Sequence, residues 1–324
     1  MTDSRRSYER VNYLLRPSKQ VERKIFVEVL SRLAKCGYLL SEYTYLGLGS
    51  IYYADFMLFH KYLYIDNMIC AEQSRIPRRM RFNKPYDFIE LRMGPVSKVI
   101  PRLDAGRRCL AWLDYDCTLK ASILADIDAC IQRLPQGSIL IVTVDAEPRL
   151  PDEYDCDVDN MTPFQQLGEF VKYLQESFGE YVPGGIAKNA DSADVLPKVL
   201  ARILRSQIEA SLLSQPGVSF IQLFNYKYAD GASMLTVGGL LDCEVKKREL
   251  KRAGILSLPY VETGLVPKSI TVPTLTPREK VWLDSNLGAR GGKQVRAAFE
   301  ITQRSVRNYR RLYRYYPTYF ESLL

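Results

Sequence analysis

Several short groups of residues in this chain have types and spacings suited to chemistry. Tyr45-Leu46-Gly47-Leu48-Gly49-Ser50 puts two glycines and a serine at the end of an apolar run. Glu72 closes the next apolar run, Met93-Gly94 closes a third, and Asp114-Tyr115-Asp116 closes a fourth. Glycines after a buried strand let the backbone come close to a bound molecule. An acid ending the neighbouring strand accepts hydrogen bonds from ribose hydroxyls. Together they predict a nucleoside-containing ligand. Asp114 and Asp116 are the candidates to take a proton from a second substrate. The competing reading is that Asp114 only holds the ligand and Asp116 caps the next helix.

Other chemistries are poorly supplied. The 324 residues include one histidine, His60, which reads as a packing residue at a helix edge. Seven cysteines are scattered without a CxxC pair, as expected of reduced thiols. No metal site is assigned, although Asp114, Asp116, Asp145 and Glu147 are carboxylates of the kind magnesium takes. Arg16, Lys19 and Arg23 precede the first strand. They could meet a carboxylate or phosphate at its end, but a solvated helix face is the slightly preferred expectation. Polar residues fill the N-terminus and no apolar run reaches membrane-spanning length, which points to the cytoplasm.

The elements that must position these residues follow from periodicity. Residues 19–36 read as a helix, with Val21, Ile25, Val29 and Leu33 at helical spacing before Gly37. Buried strands are expected at 43–48, 68–71, 88–91, 109–113 and 138–144, with helices at 52–63 and 119–134. Strands alternating with helices make an α/β, Rossmann-like, doubly wound and mostly parallel sheet. Ligands of such sheets sit at the C-terminal ends of the strands, where every group named above falls. An acidic stretch at 151–159 precedes a helix that Thr162 and Pro163 start, and a further helix covers about 194–213. The segment 151–215 is therefore a helical insertion and the natural place for a substrate lid. Two apolar runs flanking Asp230-Gly231 make a hairpin, so the sheet ends in an antiparallel pair.

With that hairpin the residues acquire a family likeness. Residues 43–241 resemble a class I S-adenosylmethionine-dependent methyltransferase. The segments YLGLGSIYYADF, AEQSRIPRRMRFN and WLDYD, with the approach LLRPSKQVERK, resemble bacterial proteins described as putative O-methyltransferases. The resemblance implies S-adenosyl-L-methionine as cofactor. Gly47, Gly49 and Ser50 would hold its methionine moiety and Glu72 its ribose. Arg92, Met93 and Gly94 would flank the adenine, and Asp114 would face methyl donor and substrate. The acid usual at the start of the first motif is replaced here by Tyr43 and Tyr45. The loop after Asp114 lacks the prolines of amino-group methylation of bases, and no Pro-Cys pair supplies a carbon-5 nucleophile. The acceptor, small or macromolecular, is therefore expected to offer a hydroxyl.

The C-terminal stretch differs in charge. From Arg290 onward eight basic residues face two acids, so most of the net charge of +8 lies there. Thr276, Pro277 and Glu279 open a helix that Gly288 ends, residues 292–299 form a second, and Thr302 caps a third running to Tyr316. On the third, Val306, Tyr309, Tyr313 and Tyr316 share one face, and Arg304, Arg307, Arg311 and Arg314 the other. Residues 275–313 resemble the helix-turn-helix of LuxR-type regulators, with Arg296 and Glu300 at positions usually small or glycine. That implies a second reading: a DNA-binding protein whose four arginines contact nucleic acid while the sheet senses a nucleotide cofactor or guides methylation. The expected organisation is a helical segment at 1–40, the catalytic domain at 41–260 and a helical module at 270–324.

Overall fold

The computed structural model describes residues 15–74, 76–151, 154, 160–182, 195–287 and 299–317. Its strands are β1 (Thr44–Leu48), β2 (Asn67–Glu72), β3 (Ile89–Met93), β4 (Cys109–Thr118), β5 (Ser138–Asp145), β6 (Ser219–Asp230), β7 (Ala232–Asp242) and β8 (Lys268–Ile270). They form one eight-stranded sheet in the order β3-β2-β1-β4-β5-β7-β6-β8. Strands β1 to β5 pair in parallel, and β7 lies antiparallel to both β5 and β6. Strand β8 adds a short parallel edge to β6. This is the Rossmann-like sheet with a terminal hairpin that the sequence predicts.

The helices are α1 (Pro17–Leu33), α2 (Ala54–Leu63), α3 (Pro77–Phe82), α4 (Val96–Val99), α5 (Ala121–Arg133), α6 (Pro163–Phe178), α7 (Val195–Ser211), α8 (Glu244–Arg252), α9 (Pro277–Ser285) and α10 (Gln303–Leu312). They cover both sheet faces, which is why the central strands read as continuous apolar runs. On one face Leu46, Ala111, Leu113, Leu140 and Val142 pack with α5, α6 and α7 through Ile127, Phe170 and Leu204. On the other, Tyr45, Leu110, Trp112, Ile139 and Ile141 pack with α1 and α2 through Ile25, Phe26, Phe56 and Phe59. The period of two in the strands sorts these sets. Helices α6 and α7 are thus core layers, and none of their residues lines the cavity described below. The rest of the expected lid, at 152–153, 155–159 and 183–194, lies outside the described residues.

Three expectations are corrected. The strand expected at 109–113 continues to Thr118, with a register shift against β5 between Asp114 and Thr118. Asp116 is therefore a strand residue, and the cap position of α5 belongs to Lys120. The N-terminal part of α1 is not a solvated face, because Ser18, Lys19, Glu22 and Arg23 are all buried. That burial follows from where the helix begins. Its N-cap residue Arg16 makes no side-chain cap hydrogen bond. Instead the tip of the hairpin supplies one: Ser18 N and Lys19 N donate to Asp230 Oδ1 and Oδ2 at 3.0 and 2.9 Å. Asp230 thereby holds the start of α1 over the C-terminal edge of the sheet, beside Gly231 at φ +103°. The third correction concerns α10, which ends at Leu312 rather than at Tyr316. Its buried face is Val306, Tyr309 and Leu312, continued by Tyr315, while Tyr313 is exposed. Arg304, Arg307, Arg311 and Arg314 are exposed as expected. The helix expected at 292–299 lies outside the described residues except at Phe299.

Candidate active site

A cavity of about 570 Å³ opens at the C-terminal ends of β1, β2, β3 and β4. Gly49 and Ser50, Glu72, Gly94, and Asp114 with Asp116 line it from those four ends. Four of the predicted groups therefore meet in one place.

Gly49 is required by close approach. A Cβ there would stand 2.6 Å from Glu72 Oε2, 2.8 Å from Glu72 Cβ and 3.0 Å from Cys70 Sγ. Its N–H donates to Ala71 O at 2.6 Å, and Gly94 N donates to Glu72 O at 2.7 Å. These bonds knit the three loops around Glu72. Burial pushes the Glu72 carboxyl above the usual carboxylate range, and Asp116 adds to this. The Ser74 N–H, donating to Oε1 at 2.6 Å, opposes it.

Gly47 does not line the cavity. A Cβ there would stand 2.6 Å from the Tyr45 hydroxyl, so Gly47 makes room for that ring. The Tyr45 hydroxyl donates to Asp55, a residue of the first turn of α2 that does line the cavity. Burial raises the Asp55 carboxyl, while Arg23 and the Tyr45 bond oppose the rise. Asp55 was missed in the sequence because it stands ten residues after the tyrosine that occupies the expected acidic position. The signal was there: an acid opening the helix that follows the glycines. Met93 is 38% exposed and does not line the cavity, and Arg92 is turned to Glu90 at 2.8 Å.

The network behind Asp114 is the larger surprise. Lys19 Nζ lies 2.6 Å from Asp114 Oδ1, 3.0 Å from Glu22 Oε2 and 2.9 Å from the Tyr228 hydroxyl. It also sits 4.4 Å from the centre of the Trp112 ring. The lysine and Glu22 are both fully buried, whereas Asp114 keeps 27% of its side chain open. Thr236 donates to Glu22, its oxygen lies 2.9 Å from Thr143 Oγ1, and Trp112 Nε1 donates to Thr143 at 3.0 Å. A lysine of the N-terminal helix thus fixes the site carboxylate from behind. Burial holds the Tyr228 phenol well above its ordinary value, so it stays a neutral partner. Arg16 and Arg23, on the same side of α1, line the cavity itself.

The remaining candidates have structural partners. Asp145 is buried and bonded to Glu147 N at 2.8 Å and to Arg149, and Glu147 Oε1 accepts from Ser233 N at 3.2 Å. Among the described residues no three or more His, Cys, Asp or Glu gather as metal ligands. His60 packs against the rings of Tyr86 and Phe88, and its Nδ1 lies 3.0 Å from Ile65 O. Cys117 is partly buried at the cavity wall.

Several solved structures are similar to this chain. A putative O-methyltransferase from Klebsiella pneumoniae is 13% identical, covers 71% of this chain and 90% of its own, with a TM-score of 0.35. Trm1 from Pyrococcus horikoshii, solved with S-adenosyl-L-methionine, is 12% identical over 76% of this chain and 60% of its own, TM-score 0.43. The O-methyltransferase TomG from Streptomyces achromogenes is 14% identical over 71% and 90%, TM-score 0.36. No curated protein matches. The model of the family described as "Putative O-methyltransferase" matches residues 11–324, nearly the full length, and the chain belongs to that methyltransferase family.

Proposed function

We propose that this chain transfers the methyl group of S-adenosyl-L-methionine to a hydroxyl oxygen of an acceptor bound beside α1. The observation that carries the reading is the cavity in which Gly49, Ser50, Glu72, Gly94, Asp114 and Asp116 converge from four strand ends. The residues fit the cofactor: the Glu72 carboxyl lines the cavity together with Gly49 and Gly94, which present backbone without side chains. Glu72 accepts from the ribose hydroxyls, and Gly49 and Ser50 hold the methionine end. Gly94 and Val96 flank the adenine, a task Met93 leaves to them by standing outside the cavity. Gly47 acts through Tyr45 and Asp55. When bound, the cofactor supplies an electrophilic methyl carbon on a sulfonium.

The protein's own contribution is alignment and proton removal. Asp114, pinned at Oδ1 by Lys19, orients the acceptor. Asp116 lies two residues further along β4, exposed at the cavity rim, and takes the hydroxyl proton as the oxygen bonds to carbon. Residues 41–260 form the catalytic domain, with α1 from the 1–40 segment as a wall of its cavity and 270–324 appended. Six described cysteines are thiols rather than disulfides, which fits a reducing compartment such as the cytoplasm. Among the described residues no helix is long and apolar enough to cross a membrane.

Titration calorimetry with S-adenosylhomocysteine tests the reading. The wild type is expected to bind, and Glu72→Ala to bind at least about tenfold more weakly, the loss of a charge-assisted bond. No binding by the wild type, or equal binding by the variant, sinks it.

A further inference from the structure

Arg304, Arg307, Arg311 and Arg314 stand exposed along α10 and the turn after it. They recur every three or four residues, so they share one helical face. Arg304 and Arg311 are two turns apart, about 10.5 Å along the axis. No acid occurs between Gln303 and Tyr316. Arg310, three residues after Arg307 and four before Arg314, borders this face and donates to Asn286 O at 3.4 Å.

The helix cannot roll to hide these side chains. Val306, Tyr309 and Leu312 are buried on the other side of the helix, and Tyr315 is buried in the turn after it. Tyr315 donates to Glu28 on α1, Tyr260 donates to Arg311 O, and Lys24 Nζ donates to Tyr316 O at 3.2 Å. Thr302 caps the helix through Ser305 N at 3.1 Å. The guanidiniums are therefore presented by a fixed scaffold. Like charges at such spacings oppose the helix by about 0.2–0.5 kcal/mol per pair, and an ordinary solvated face interleaves acids that remove this cost. A polyanion would remove it too.

We propose that this face is a contact surface for the phosphate backbone of nucleic acid. Guanidiniums match phosphate oxygens two at a time, and a row of them needs no base contact to bind. A membrane-surface helix needs a free apolar face, and the apolar face of α10 is already used in packing. A protein partner needs an apolar centre among the charges. The exposed apolar side chain at this end of the helix is Tyr313, which falls in line with Val306 and Tyr309 rather than among the arginines; it is 36% exposed and its hydroxyl accepts from Arg314 Nε at 3.1 Å.

The test is fluorescence anisotropy of the full-length protein with a labelled 20-base-pair duplex of mixed sequence, from 50 to 200 mM salt. Four neutralised phosphates give a slope of log K against log salt of about −3 to −4. The variant Arg304→Ser/Arg307→Ser/Arg311→Ser/Arg314→Ser should lose most of that slope and bind at least tenfold more weakly at 50 mM. The comparison variant Lys247→Ser/Arg248→Ser/Lys251→Ser/Arg252→Ser removes as much charge from exposed positions of α8 and should keep the slope. Equal losses in both variants would reassign binding to diffuse charge and overturn the proposal. So would no binding by the wild type, or competition by poly-glutamate or anionic vesicles as strong as that by unlabelled duplex. S-adenosylhomocysteine binding, unchanged in the α10 variant, shows that it folds and keeps this result separate from the methyl-transfer reading.

Discussion

Glu72 carries two opposite pH dependences. Its carboxyl is raised by burial, so over the window above the ordinary carboxylate value the folded protein holds a proton that the unfolded chain has released. Stability from this group therefore falls as pH rises through that window. Cofactor binding has the other sign, because ribose hydroxyls donate to the ionised form. Affinity for S-adenosylhomocysteine should rise with pH, by up to about tenfold per unit below the raised value, and level off above it. In Glu72→Gln the calorimetric profile should be flat over the same range; a slope that persists would place the titrating group elsewhere. Lys19 poses a different balance. It stands between two carboxylates, one of them fully buried. Lys19→Met leaves Glu22 as an uncompensated buried charge, and a loss of about 3–5 kcal/mol in urea unfolding is expected. Lys19→Met/Glu22→Gln should recover part of it, since the stranded charge is gone. No recovery would mean that the lysine acts mainly through Asp114.

At the scale of elements, the placement of α1 decides the shape of the site. The helix has a proline at its first position but no side-chain cap of its own. Asp230, from the hairpin tip, closes two of its open N–H groups. Asp230→Ala should cost about 1–2 kcal/mol in chemical denaturation, the usual worth of a cap. Gly231 remains to make the turn, so the β6–β7 pairing should survive, with β-sheet circular dichroism unchanged before the transition. A variant of wild-type stability would show that solvent satisfies these groups equally well. Strands β1 to β7 were legible from apolar runs and glycine-bearing ends, because both features are local; the three-residue β8 was not. The extension of β4 past Asp114 was not, since Asp-Tyr-Asp-Cys carries no apolar run and owes its strand state to pairing with β5.

For the whole molecule, the sequence determined the succession of β1 to β7 with α1, α2, α5, α6 and α7, the final hairpin, and the gathering of Gly49, Ser50, Glu72, Gly94 and Asp114 at one edge, whereas α3, α4, α8 and β8 were not expected. Parallel βα units leave little choice: each strand's C-terminal residue arrives at the same side of the sheet. It also determined that α10 has a basic face, because helical period alone sorts the arginines. Only the tertiary structure decided which apolar residues of that helix are covered. Leu312 and Tyr315 are buried, rather than Tyr313, because α1 and Tyr260 lie against them. Likewise Lys19, Glu22 and Arg23 look like a solvated face in a helix taken alone. They become the back wall of the site through Asp114 and Tyr228, 95 and 209 residues away in the chain. Asp55 entered the site for the same reason, across the ring of Tyr45. Burial of a charge depends on partners, and partners distant in sequence leave no periodic trace near the residue that needs them.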